Sequence, residues 1–382
     1  MAHAETPAAP STTGERPPTT VPARAALRLL RVERTQRWRI GVLPALGIAL
    51  AVVIVVAAAV GAVPIAPMTT AAVLANATHL VHLPRAWPAA DEVIVLQLRL
   101  PRVLGAALVG AALAVAGALF QGLLRNPLAD PFLLGTSAGA ALGASIAFAV
   151  PTLFVMDVLG FSVAAALALV GALLAAGLVY ALATRRGETP VVTLLLAGVA
   201  VSALLTAAQT LIVALQQRAG WRILDLYYWL AGAITVQSWT QLQLLIPIVF
   251  AAILATLLLA PALDAFAAGE EVAAYLGLRV ERTKLLIAGL AALLVAVAVS
   301  ISGLVGFVGL VAPHLCRITL GPRHRLLIPA SALTGAIFVV LSDLVARTIV
   351  APSELPLGVV TALLGGPFFL ALLRRAGRGY SW

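Results

Sequence analysis

The sequence predicts an all-α, polytopic membrane protein of about ten transmembrane helices, and three observations lead there. Of its 382 residues, 62% are hydrophobic and only 10% charged, where a soluble domain carries roughly 25% charged residues. The mean hydropathy is +1.06. The apolar residues gather in runs about one bilayer thick, broken by short polar turns, and the charges lie between the runs. A net charge of +10 therefore reports membrane topology, with no basic face of the kind that binds nucleic acid.

Taken in order, residues 1–37 are rich in Pro, Ala and Thr and then in Arg, with no apolar run. They read as a disordered basic cytoplasmic tail ahead of a transmembrane domain over 38–382. The stretch from Arg24 to Arg39 is either a helix on the inner leaflet or, more simply, a basic flank that orients the first span. No cleavable signal is evident, so the first span is expected to be retained. The candidate spans are 40–62, 101–123, 133–150, 161–184, 192–215, 239–260, 284–302, 303–316, 326–346 and 356–374. Between the second and third stands Asn126-Pro127-Leu128-Ala129-Asp130-Pro131, a turn stopped by proline. Gly135, Gly139 and Gly143, spaced by four, give the third span a face for close helix packing. The run 303–316 is short for a crossing, and its Gly303, Gly306, Gly309 and Pro313 suggest a broken element packed inside protein.

Charge sets the orientation. With the N-terminus inside, 19 of the 25 basic residues fall on the cytoplasmic side. Only Arg85, Arg99, Arg102, Arg218, Arg222 and Arg347 remain outside. This bias places both termini of a multi-pass membrane protein in the cytoplasm.

Several function classes drop out. The single Cys316 leaves no intrachain disulfide and no Cys-rich metal site. A P-loop needs Gly-Lys-Ser/Thr, and the only lysine, Lys284, stands between Thr283 and Leu285, so ATP is not hydrolysed by this chain. An ion-coupled secondary transporter needs ionisable groups at mid-membrane. The acid within these spans, Asp343, lies near the outer end of its helix with Arg347 four residues on, the spacing of a local ion pair. His314, after Pro313, reads as a structural hydrogen-bonder. An intramembrane enzyme needs paired catalytic groups, and none is visible; catalytic residues, a metal site and a bound cofactor are not expected.

Three constellations carry the functional reading. The loop from Leu263 to Lys284, with Asp264 near its start, is too patterned for a connector: Gly269 precedes Glu270 and Glu271, acids suited to a first helical turn, and Leu276-Gly277 supplies a stop. The short helix this implies fits either a partner's groove or the lipid surface. Arg99, Arg102 and Arg347 stand at the outer mouth against the positive-inside trend. Docking of an acidic partner or of lipid headgroups would employ all three, and pairing to Asp343 would employ Arg347. Finally Gly198, Ser202, Thr206 and Gln209 share one face of the fifth span, which lines a water-accessible path or an interhelical hydrogen bond.

The stretch from Arg99 to Gly143, RLPRVLGAALVGAALAVAGALFQGLLRNPLADPFLLGTSAGAALG, closely resembles the permease family of bacterial ABC importers for iron-siderophores, haem and cobalamin. The resemblance runs from about Arg99 to Arg375. It includes the Gly-Glu-Glu loop, Trp229-Leu230-Ala231-Gly232, the run from Gly306 to His314, the run from Glu354 to Thr361, and Gly365-Gly366-Pro367-Phe368-Phe369. It implies a cobalamin-importer-like permease fold working as a homodimer, with two cytoplasmic ATPase subunits and one periplasmic substrate-binding protein. ATP would be consumed by the partner subunits. By resemblance, Asp264, Gly269, Glu270, Glu271, Leu276 and Gly277 form the element that docks on the ATPase, and Arg99, Arg102 and Arg347 receive glutamates of the binding protein. Ser202, Thr206 and Gln209 line the translocation path at the dimer axis. The loop Gly187 to Thr193 stands where the family has its cytoplasmic gate, here with Val191 and Val192. The stretches Gly321 to Arg347 and Ala351 to Arg375 look most like haem permeases, so haem is the expected cargo, ahead of ferric siderophore and then cobalamin. His79 and His82, in the outer loop after the first span, read as solvated rather than as haem ligands.

Overall fold

The computed structural model describes residues 23–376 except 62, 80, 155, 159, 217–222 and 237, with side chains described from Gly41 onward apart from those of 151, 154, 216, 372, 373, 375 and 376. The expected tail up to residue 22, and the arginines at 218, 222 and 378, lie outside the described residues. The chain divides into two units, Met1–Val42 and Leu43–Trp382. In the first, the described backbone is helical from Ala23, where α1 (Ala23–Ala59) begins.

The second unit is a helical bundle. After α1 come α2 (Pro67–Ala77) and α3 (Ala89–Val93). One π-helical turn, Ile94–Arg99, leads from α3 into α4 (Leu100–Leu123). A 3₁₀ turn, Pro131–Leu134, precedes α5 (Thr136–Ala149), then the single turn α6 (Pro151–Phe154). A two-residue hairpin, with Asp157 opposite Ser162 and Val158 opposite Phe161, leads to α7 (Val163–Ala183). The rest is α8 (Val191–Gln216), α9 (Ile223–Ala231), α10 (Trp239–Leu258), α11 (Ala260–Ala267), α12 (Glu270–Tyr275), α13 (Val280–Ser302), α14 (Val308–Leu320), α15 (His324–Thr348) and α16 (Leu357–Ala376).

Among the described residues, seven helices are long and apolar enough to cross a membrane, and three shorter apolar ones (α5, α14, α16) complete the set of ten predicted from sequence. Two predicted boundaries are corrected. The span read as 133–150 starts at Thr136, because Pro131–Leu134 forms a 3₁₀ turn and Gly135 takes φ +73°. Asp130 caps that turn by accepting the Phe132 N–H at 2.8 Å. Burial pushes the Asp130 carboxyl up, against the downward pull of that bond. The span read as 303–316 starts at Val308, because Gly303 (φ +60°) and Phe307 (φ +67°) hold an irregular break between α13 and α14. Such a break survives inside a bilayer only if protein satisfies its polar groups. Here the Ile301 and Ser302 carbonyls accept from Thr235 and Ala233, at 2.9 Å each, and the Gly232 carbonyl accepts from Leu357 at 2.8 Å. The segment from Gly232 to Thr235, at and just after the Trp229-Leu230-Ala231-Gly232 motif, is thus a backbone splint.

Burial puts α4 and α13 at the centre: 78% and 72% of their apolar windows are buried, against 17% for α8. α4 packs on α13, α14 and α15. Lipid tails reward no burial of apolar surface between helices, so packing depends on backbones approaching closely at small residues. A methyl group at Gly110 would overlap the Gly335 carbonyl on α15, and one at Gly117 would overlap the Gly309 carbonyl on α14. Gly139 and Gly143 likewise press α5 on Gly171 and Leu167 of α7, whereas Gly135, the third glycine of the predicted face, lies before α5 against Ser202.

Gly117→Val should therefore lower the melting temperature of the detergent-purified chain, since overpacking of this kind costs roughly 1–3 kcal/mol. Gly177→Ala, on an open face of α7, should leave it within error; equal melting temperatures for the two would refute the glycine seam.

Candidate functional site

α4 and α15 run antiparallel: Arg102 meets Asp343, Gly110 meets Gly335, and Gly122 meets His324. The charged residues singled out in the sequence collect at the two ends of this pair, and the polar stripe lies apart on α8.

At the first end, Arg102 Nη2 donates to Asp343 Oδ1 at 3.0 Å and to Glu354 Oε2 at 2.8 Å. Arg347 Nε donates to Asp343 Oδ2 at 2.9 Å, the i,i+4 pair the sequence suggested. Asp343 is only 1% exposed, so its charge is tolerated through these two guanidinium partners. Arg99 behaves differently. It turns inward, donating to the Ala58 carbonyl at 2.9 Å, the Ala59 carbonyl at 2.7 Å and the Val63 carbonyl. The last carbonyls of a helix lack intrahelical partners and carry its negative pole, and Arg99 caps α1 in that way. Arg347 adds a bond to the Ala57 carbonyl at 3.2 Å. Gly61 makes room, since a methyl there would meet the Arg99 guanidinium. The three arginines do converge: with Glu354 they line a hollow of about 730 Å³. Only Arg102 and Glu354 keep appreciable exposure, 23% and 49% of their side chains.

At the second end, α12 forms as its residues dictate. Gly269, at φ +118°, sets the start, and Glu270 and Glu271 occupy the first turn. The Gly277 N–H (φ +84°) reaches the Ala274 carbonyl at 2.9 Å, and the Leu278 N–H reaches Ala273 at 3.1 Å, a Schellman stop. Ala273 is fully buried, whereas Tyr275 and Leu276 are 90% and 68% exposed. Asp264, on α11, accepts the His324 backbone N–H at 3.0 Å and lies 2.6 Å from His324 Nδ1. It thus caps the first turn of α15.

Lys284 is 4% exposed and ties several elements together. Its Nζ stands 2.6 Å from Glu270 Oε2, 3.0 Å from Glu281 Oε1 and 3.1 Å from the Thr189 carbonyl. Thr189 belongs to the loop between α7 and α8, where Arg185 and Glu188 pair across a two-residue turn. Both turn residues, Arg186 and Gly187, have positive φ, as a type I′ hairpin requires. Val191 and Val192 follow at the start of α8, with Val192 68% exposed.

The stripe on α8 divides. A methyl at Gly198 would overlap the Leu133 carbonyl, and Ser202 Oγ lies against Gly135, so these two face the chain's own turn. Thr206 is exposed and Gln209 half-buried. His79 and His82 line a separate open hollow with Arg85 and Glu92 at the first end. No cluster of three metal-ligating side chains occurs among the described residues.

A bundle of ten apolar helices with an exposed, glycine-bounded helix at one end and clustered arginines at the other defines a membrane transport subunit. The chain belongs to the FecCD transport family, whose model matches residues 49–375. It is 45% identical over 287 residues to the cobalamin import system permease protein of Halobacterium salinarum, covering 75% of each chain. It is 41% identical to the hemin transport system permease protein of Yersinia pestis, over 73% of this chain and 82% of that one. With the iron(3+)-hydroxamate import system permease protein FhuB of Bacillus subtilis the identity is 38%, over 78% of each. Among solved structures, an inward-facing conformation of an ABC transporter of metal-chelate type superposes with TM-score 0.72 and 28% identity, over 88% of this chain and 99% of that one. The protein is a permease of an ABC importer for siderophore, haem or cobalamin, and ATP hydrolysis belongs to separate subunits.

Sequence reasoning missed Glu354 and Lys284 as site residues. Glu354 had a signal, an acid directly before the Leu-Pro-Leu-Gly stretch; Lys284 had only its uniqueness.

Removing the buried acid should be costly. Asp343→Asn should destabilise the chain by on the order of 3 kcal/mol, because two guanidinium groups lose their shared partner. Thermal unfolding in detergent measures it, and an unchanged melting temperature would mean that Asp343 does not hold the cluster.

Proposed function

We propose that this chain forms a homodimer that passes haem inward from a periplasmic binding protein, driven by two ATPase subunits seated on α12. The observation that carries the reading is α12 itself, a helix anchored through Ala273 that turns Tyr275 and Leu276 into solvent. With Asp264, Gly269, Glu270, Glu271 and Gly277 it makes a small apolar knob on a fixed base, the shape that fills a groove in a partner. At the other end, the outer face in this reading, Arg102 at the rim of the arginine hollow offers charge to an acidic lobe of the binding protein. Arg99 and Arg347 hold that rim in place. The α8 face with exposed Thr206 and half-buried Gln209 lines the path where two copies meet, with Ser202 behind it against Gly135, and Val191 and Val192 narrow its inner end. A path of hydroxyl, amide and apolar groups suits a bulky chelate handed on without tight binding.

Haem is supported by the similarity of the last two spans to haem permeases and by the 41% identity to a hemin permease. Cobalamin is the second reading, favoured by the 45% identity to a cobalamin permease.

Two measurements test this. In proteoliposomes holding the permease, its ATPase and its binding protein, haem should stimulate ATP hydrolysis and enter the lumen. A response to cobalamin or ferric hydroxamate alone would replace the cargo, and uptake driven by an ion gradient without ATPase would overturn the whole reading. Separately, Tyr275→Asp with Leu276→Asp should weaken ATPase association about ten-fold or more, as for two central anchors of an interface; undiminished co-purification would displace α12 from that role.

A further inference from the structure

The geometry points to Lys284 as the joint through which displacement of α12 reaches the loop ahead of α8. This rests on the reading of α12 as the ATPase-docking element. An ammonium has three N–H donors, and three acceptors from three separate segments surround this one: Glu270 on α12, Glu281 on α13 and the Thr189 carbonyl in the α7–α8 loop. Glu281 doubles the link, because its Oε2 accepts the Thr189 N–H at 2.9 Å. Both backbone polar groups of Thr189 are therefore committed to the Lys284–Glu281 pair. Its hydroxyl lies 3.0 Å from that of Thr184 at the end of α7.

The two sides of the joint differ in build. α12 is a short helix bounded by Gly269 and Gly277, both in backbone conformations that other residues rarely adopt. The Thr189 side is a tight hairpin that continues two residues later into Val191. Glu270 thus sits on the element that meets the ATPase, Lys284 at the junction, and Thr189 on the element that carries the apolar constriction. Without the ammonium, Glu270 and Glu281 would face each other unneutralised, which drives α12 away from the body. Lys284 is a positioning residue: it touches neither nucleotide nor cargo.

The test uses the full complex of permease, ATPase and binding protein in liposomes. Lys284→Met should retain the ATPase, yet cargo delivered per ATP hydrolysed should fall about five-fold or more, the scale of a coupling energy between two sites. Lys284→Arg should restore most of it, since a guanidinium can still bridge the two carboxylates. Glu270→Gln, which cuts only the α12 leg, should lower the same ratio, and it decides the matter if Lys284→Met does not assemble. A thiol at Val192 reports the far side. In the Val192→Cys chain its reactivity should change on ATP addition, and in the Lys284→Met background that change should vanish while a thiol at Ala274 still responds. Unchanged cargo per ATP in Lys284→Met or Glu270→Gln, or a Val192 thiol that still responds, overturns this inference alone. An unmodified chain that retains no ATPase overturns the reading of α12, and the joint with it.

Discussion

The backbone contact between α4 and its neighbours is the constraint on which both ends of the molecule depend. Gly110 against Gly335 and Gly117 against Gly309 let α4 lie on α15 and α14 at a separation that no side chain permits. That separation fixes register as well as distance. A slip of one helical turn, about 5.4 Å, would carry Arg102 away from Asp343 and Gly122 away from His324 together. Two polar assemblies at opposite ends of a bilayer-sized bundle are therefore set by one apolar seam between them.

The two assemblies leave opposite residual charge. At the arginine end, three guanidinium groups gather around two carboxylates, Asp343 and Glu354, with the carbonyls ending α1 offsetting part of the excess. At the lysine end, one ammonium is shared by Glu270 and Glu281. The residual charge is confined to each cluster, since the charge bias assigns most of the chain's arginines to the lysine end, and each cluster is bound internally through its own ion pairs.

The sequence made legible whatever was local. Run length found the ten apolar helices among the sixteen described, four-residue spacing found the Gly139–Gly143 seam, and Gly269 with Gly277 bounded α12 to within a residue. Pairings across the chain left no such trace. Arg102 and Asp343 are 241 residues apart, Lys284 and Thr189 are 95, and Asp264 and His324 are 60. Nothing in the neighbourhood of either member names the other. Arg99 shows the cost. Its position against the charge bias marked it as available to a partner, yet its side chain is spent on three carbonyls around the end of α1. The boundaries that moved, at Thr136 and Val308, moved because a left-handed Gly135 and Phe307 stop helices that hydropathy alone would extend.

The chain contains one lysine, and the fold encloses it. Apart from the chain's amino terminus, an amine-directed reagent finds a single nucleophile here, shielded for as long as Glu270, Glu281 and Thr189 surround it. Acylation at Lys284 is therefore a chemical clock for separation of these three segments: its rate reads how often they part, in the unaltered protein and with no probe engineered into it.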